Sequence, residues 1–233
     1  MLYLNDTYQF TYSGKILSCS EDERGSYFLL DQTIFYPQGG GQPCDQGFLS
    51  LNQTQIPIHF VRQLGDEIRH YSKDMNEEMV GQSFLSQIDS ERRLLNARYH
   101  TAGQLLGNFI EEKFPESSIL KAHHWPDEAC LEFSALSGDD IAMLESDLNS
   151  LILQDRSVTI FPVSHEDFVK VFSKESEQYE SKKELRAVQI EGFKPVPCGG
   201  THLKSLKEIG VLKIKKIITK KYVTRISYTV HDV

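Results

Sequence analysis

The hydrophobic pattern changes period once, near residue 88, and this break limits the fold more than any other feature of the 233-residue chain. Before it lie short aromatic or β-branched runs: Tyr27-Phe28-Leu29-Leu30, Thr33-Ile34-Phe35-Tyr36 and Ile56-Pro57-Ile58-His59-Phe60-Val61. Turn-forming residues separate them at 21–25, 37–41 and 63–67. Short strands at that spacing suggest a small barrel or sandwich. After the break, Leu94, Leu95, Ala102, Leu105, Leu106, Phe109 and Ile110 recur at helical spacing. Asp89 or Ser90 can cap this helix and Pro115 can stop it, which predicts a helix over residues 91–114.

Farther along, strands are expected over 129–133, 158–163, 187–190, 211–218 and 222–230. A second helix opens at Ser137-Gly138-Asp139-Asp140 and runs to about 154, with Ile141, Leu144, Leu148, Leu151 and Ile152 as its stripe. Residues 166–183 read as a charged helix. The chain is therefore expected to be α+β, with a β-rich domain, a small barrel or sandwich, over 1–88 and a domain of mixed helices and strands over 89–233.

Hydrophobic residues at 39% and charged residues at 25% describe a folded, water-soluble chain. No apolar run approaches the ~20 residues of a membrane helix. Residues 1–6 lack the pattern of a signal peptide. Four cysteines without framework spacing (Cys19, Cys44, Cys130 and Cys198) read as reduced thiols, which suggests a cytoplasmic protein.

The net charge of −8 argues against bulk coating of nucleic acid, and so against a DNA partner. Residues 203–233 run the other way, with eight basic and two acidic residues, a local +6 against −14 for the rest. Lys213, Lys215, Lys216, Lys220 and Lys221 form either a phosphate-contact surface or an ordinary lysine-blunted edge strand.

The sharpest chemical feature is Pro197-Cys198-Gly199-Gly200-Thr201-His202. A thiolate and an imidazole four residues apart, with glycines between, can converge on one metal, and Zn²⁺ favours sulfur and nitrogen ligands. A third ligand is offered by His100 in Arg98-Tyr99-His100-Thr101-Ala102-Gly103-Gln104. Gln104 shares its helix face, but an amide carbonyl is a poor zinc ligand. Gly103 and Gly107 leave that side of the helix open to another chain segment or a ligand. Taken separately, Cys198–His202 reads equally well as a tight turn with a buried thiol. Spacing alone does not bring it to His100.

Together the two segments resemble the paired HxxxH and CxxxH motifs of the alanyl-tRNA synthetase editing domain, whose free-standing version is the AlaX family. Phe35-Tyr36-Pro37-Gln38-Gly39-Gly40-Gly41-Gln42-Pro43 and Asp45-Gln46-Gly47 resemble the family's glycine-rich segment. Glu208-Ile209-Gly210, Ile214 and Arg225-Ile226-Ser227-Tyr228 also match. The resemblance spans almost the whole chain. It implies an N-terminal barrel, followed by a two-layer α/β editing domain like that shared by alanyl- and threonyl-tRNA synthetases.

The resemblance further implies hydrolysis of the ester in mischarged Ser-tRNA(Ala), and of the glycyl ester, with tRNA as partner. The implied catalytic group is His100, Gln104, Cys198 and His202, with His100, Cys198 and His202 holding zinc. Thr101 would line the amino-acid pocket. Gly39, Gly40, Gly41 and Gln42 would help distinguish the seryl group. In length the chain resembles the medium form, which keeps the barrel and lacks a long C-terminal extension. Gln104 stands where the family usually has His. That departure leaves open a non-catalytic tRNA-binding module with a degenerate metal site, or a metal-dependent hydrolase of another ester. His123-His124-Trp125 invites a second metal or a stacking role, but reads first as a solvated loop between helix and strand. Gly39-Gly40-Gly41 is not a phosphate loop, since no Lys-Ser/Thr follows.

Overall fold

The structure, a computed structural model, describes residues 1–52, 54–137, 143–164, 166–167 and 185–232. It divides into two units, Met1–Ala97 and Arg98–Val233.

The first unit carries β1 (Thr11–Asp22), β2 (Gly25–Leu30), β3 (Gly47–Leu51), β4 (Thr54–Ile58), β5 (Phe60–Leu64), β6 (Glu67–Tyr71) and β7 (Ser83–Ile88). They form one antiparallel sheet in the order β4-β3-β7-β1-β2-β6-β5. The expected barrel is not closed: among the described residues the outer strands β4 and β5 do not pair. The single run expected over 56–61 is split at His59, which lies between those two strands. Strand β7 alternates, burying Phe84, Ser86 and Ile88, as a sheet with one core face requires.

Thr33–Tyr36 is not a strand, although Ile34, Phe35 and Tyr36 are buried. Its backbone groups bond elsewhere. Phe35 N–H donates to Thr33 Oγ1 at 3.0 Å, and Tyr36 N–H to the Asp45 carboxylate at 2.6 Å. The Ile34 carbonyl accepts from Arg93. Asp45 and Arg93 form a fully buried ion pair, and Arg93 also donates to the Thr7 carbonyl at 3.0 Å. A charged pair thus replaces a ladder for a segment that would otherwise leave buried polar groups unsatisfied. The glycine-rich stretch closes a two-residue turn in which Gly39 and Gln42 exchange backbone hydrogen bonds of 3.2 and 2.9 Å. Gly40 and Gly41 have φ of +54° and +75°, a type I′ turn that glycine alone adopts without strain.

Helix α1 (Ser90–Lys113) begins in the first unit, with Arg92 N–H donating to the Asp89 carboxylate at 3.0 Å as an N-cap bond. The rest of α1 belongs to the second unit. That unit adds β8 (Ile119–His123), β9 (Cys130–Ser134), α2 (Leu144–Leu153), β10 (Val158–Val163), β11 (Leu185–Ile190), β12 (Val196–Pro197), β13 (Val211–Lys220) and β14 (Val223–His231). The expected start of the second helix at 138–142 and the charged stretch 168–183 lie outside the described residues.

Two antiparallel sheets form, β13-β14-β9-β8 and β10-β11-β12. The fold is therefore mixed α/β with antiparallel sheets. Between Tyr99 and Asn108 every residue of α1 is buried, so the expected single stripe is too narrow a description. One side meets the four-stranded sheet, where Tyr99 Oη lies 2.8 Å from Thr229 Oγ1. Another meets β11, where Gln104 Nε2 donates to the Val188 carbonyl at 3.4 Å. Helix α2 grips β13 through Asn149, which bonds both the N–H and the carbonyl of Leu212.

Removing one partner of a buried ion pair strands the other charge, at a cost of about 3–5 kcal/mol. Asp45→Ala is expected to lose stability of that order in urea unfolding. Glu67→Gln, which breaks a partly exposed contact to Arg69, is expected to lose less than about 1 kcal/mol.

Candidate metal centre

His100 and Thr101 sit on the buried middle of α1. Cys198 and His202 sit on the segment that follows β12. That segment is fixed at both ends. Cys198 N–H donates to the Arg186 carbonyl at 3.2 Å, extending the β11–β12 ladder by one step. Past His202, Leu203 N–H donates to Thr101 Oγ1 at 3.1 Å. Val158 N–H then donates to the Lys204 carbonyl at 2.9 Å, and Ser205 with Glu208 makes a capping box on the turn Leu206–Ile209.

The result is a convergence of three donor atoms. Cys198 Sγ lies 3.4 Å from His100 Nε2 and 3.2 Å from His202 Nε2. All three ligand atoms lie within 4.8 Å of one another. Ligands sharing one tetrahedral zinc at bonds of about 2.0–2.3 Å sit roughly 3.5 Å apart. The donor set and its spacing therefore fit such an ion.

The surroundings keep these atoms in ligand form. Burial pushes both imidazoles well below the ordinary histidine range. His124 adds to this at His100, and the Arg186 charge adds to it at His202. Both rings are therefore neutral near pH 7. Gly200 N–H donates to Cys198 Sγ at 3.3 Å. His202 Nδ1 lies 3.2 Å from the Thr101 hydroxyl, a hydrogen bond that would orient the ring toward an ion. Thr101 is fully buried, and its hydroxyl is engaged by His202 and Leu203. Neither Gly199 nor Gly200 has a positive φ, so this turn does not draw on glycine's special backbone angles.

Gln104 shares the buried face with His100, but its amide is directed to Val188. Gly39, Gly40, Gly41 and Gln42 belong to the first unit, in the turn described above. Lys213, Lys215, Lys216, Lys220 and Lys221 are exposed on or beside β13, an edge strand. Lys213 is paired with Glu145 at 2.9 Å. A bulge after Ile214 turns both Lys215 and Lys216 outward.

Of the alternatives open for His123-His124-Trp125, the structure shows stacking. His124 is not in a solvated loop: it is only 4% exposed, and its ring stacks on that of His100 at 4.4 Å and 19°. His123 and Trp125 stack on each other beside it. The signal was Gly103. A methyl there would collide with His124 Nδ1 and the Tyr228 hydroxyl, so another chain segment does occupy the open side of α1.

Two family models match the chain. Residues 5–92 match the class II (A) tRNA synthetases, and residues 185–227 match the threonyl and alanyl tRNA synthetase second additional domain. The second match includes Cys198 and His202, while His100 falls between the two. These matches make the chain similar, in two separate stretches, to parts of class II tRNA synthetases. Among curated proteins, the alanyl-tRNA editing protein AlaX-M of Methanosarcina barkeri is 30% identical, over 94% of this chain and 93% of the relative. AlaX-L of Pyrococcus horikoshii is 30% identical over 98% of this chain, which spans 57% of that longer relative. The alanine–tRNA ligase of Thermofilum pendens is 30% identical over 82% of this chain and 22% of the ligase. The chain belongs to the AlaX family of alanyl-tRNA editing proteins.

Burial lowers the His124 pKa to about 3. Below the ordinary value near 6.5 the unfolded chain therefore takes up a proton that the folded chain refuses. The associated stability is complete above about pH 6.5 and is lost as pH falls from there towards 3. Between pH 7 and pH 5 this ring alone should cost about 2 kcal/mol. Urea unfolding at the two pH values should show the loss, and His124→Phe should remove that share of it.

Proposed function

We propose that this chain is a trans-editing deacylase that hydrolyses the ester joining serine to tRNA(Ala), and the glycyl ester secondarily. The observation that carries this reading is the convergence of His100, Cys198 and His202, from the two motifs that resemble the family's, within hydrogen-bonding distance of one sulfur. The relatives, which are alanyl-tRNA editing proteins, support the substrate class. In this reading His100, Cys198 and His202 hold zinc, and Thr101 orients His202. A bound zinc ion would polarise the ester carbonyl or lower the pKa of a water. An aminoacyl ester is already activated, so the chain's own task is to position the ester and the water and to exclude competing solvent.

The remaining parts of the proposal rest on the resemblance. They are a first domain over 1–88, an editing domain over 89–233, a role for Gly39–Gln42 in distinguishing the seryl group, and action in the cytoplasm where tRNA is charged. Lys215, Lys216, Lys220 and Lys221 are proposed to meet tRNA phosphates. Lys213 contributes less, because Glu145 already neutralises it. A second reading, a tRNA-binding module without turnover, is favoured by one observation: Gln104 brings an amide to Val188 in place of a fourth ligand.

Ser-tRNA(Ala), Ala-tRNA(Ala) and Ser-tRNA(Thr) incubated with the protein distinguish these readings. Selective loss of the first ester is expected, falling to background in Cys198→Ala and in His202→Ala. Binding without turnover would favour the second reading. Turnover indifferent to all three would exclude editing of tRNA(Ala). Gln104→His is expected to raise zinc affinity.

A further inference from the structure

Tyr228 lies on β14 and is buried. Its hydroxyl donates to the Tyr99 carbonyl at 2.8 Å, and the same oxygen lies 2.9 Å from His124 Nδ1. A phenol has one hydrogen, and a carbonyl has none to offer. With that hydrogen committed to Tyr99, the Tyr228 oxygen can only accept from His124. His124 Nδ1 therefore carries the proton, and its Nε2 keeps a lone pair. The tautomer of the ring is set by a backbone carbonyl one residue before His100.

Gly103, three residues beyond His100 on α1, makes the arrangement possible. Its missing side chain is the space in which Nδ1 and the phenol oxygen meet. The ring so held lies nearly parallel to His100 at 4.4 Å. The ring of His202 lies the same 4.4 Å from His100, tilted by 50°. His100 is thus stacked against a neighbour that cannot itself turn without breaking its bond to Tyr228. Tilting the His100 ring out of its plane would break this stacking.

We propose that His124, braced by Tyr228 in the space left by Gly103, is a positioning residue that fixes the plane of His100 and aims its Nε2 at the ion shared with Cys198 and His202. The inference rests on the metal reading above and adds a residue outside the ligand set. At His202 the same task falls to Thr101. The two ligand imidazoles are thereby held by different means, one by a hydrogen bond and one by a stacked ring.

Zinc affinity, measured by competition with a chromophoric chelator, tests it on wild type, Tyr228→Phe, His124→Ala and His124→Phe, with unfolding followed in parallel. Outer-shell partners of metal ligands are worth about 10–100-fold in affinity. Tyr228→Phe and His124→Ala are expected to lose about tenfold or more, and His124→Phe, which can still stack, to recover part of the loss. Long-range ¹H–¹⁵N NMR of the wild type should show His124 protonated at Nδ1. If His124→Ala does not fold, Tyr228→Phe decides. Variants that bind zinc within about twofold of wild type, or a His124 protonated at Nε2, would overturn the proposal. A wild type that binds no zinc would overturn the metal reading itself, a failure visible before any variant is compared.

Discussion

One hydroxyl ties the candidate centre together. Thr101 Oγ1, fully buried on α1, accepts the Leu203 N–H and meets His202 Nδ1, so the chain segment carrying Cys198 and His202 is pinned to the helix carrying His100. Residues about 100 apart in sequence are joined through a single side chain. The cost of burying such a polar group is offset only because both bonds are made. Around it α1 is covered by a sheet on one side and by β11 on another. On the buried helix His100, Thr101 and Gln104 find protein partners.

Burial does a second thing at this place. It denies the imidazoles their protons, which would be a liability in an enzyme that needed a charged histidine and is an advantage in one that needs neutral ligands. A thiol receiving a backbone N–H, two neutral imidazoles and a fully buried hydroxyl make a coherent donor set. The lysines of the positive C-terminal stretch stand on or beside an exposed edge strand, where they also guard against strand addition. The overall −8 therefore conceals two unlike surfaces.

Much of this was legible in residue order. The long helix, its cap at Asp89 and its end before Pro115 follow from period and capping. Five of the later strands fall within a few residues of their expected places. The pairing of His100 with Cys198 and His202 came from family resemblance, since spacing cannot bring such distant segments together. What escaped has a common cause. Thr33–Tyr36 looks like a strand because its residues are apolar and aromatic, but Thr33 and Asp45 nearby and Arg93 far along the chain take its hydrogen bonds. His124 looks solvated beside Trp125, but Gly103 and Tyr228 make a hole for it. In both cases a distant side chain, invisible to local pattern, decides the outcome.

The central claim is a metal ion held by one thiolate and two imidazoles. X-ray absorption at the zinc edge, on protein purified without a histidine tag, reads that shell directly. The account predicts one sulfur at about 2.3 Å and two or three nitrogen or oxygen neighbours at about 2.0–2.1 Å. Protein without bound zinc, or a zinc shell lacking sulfur, would contradict it.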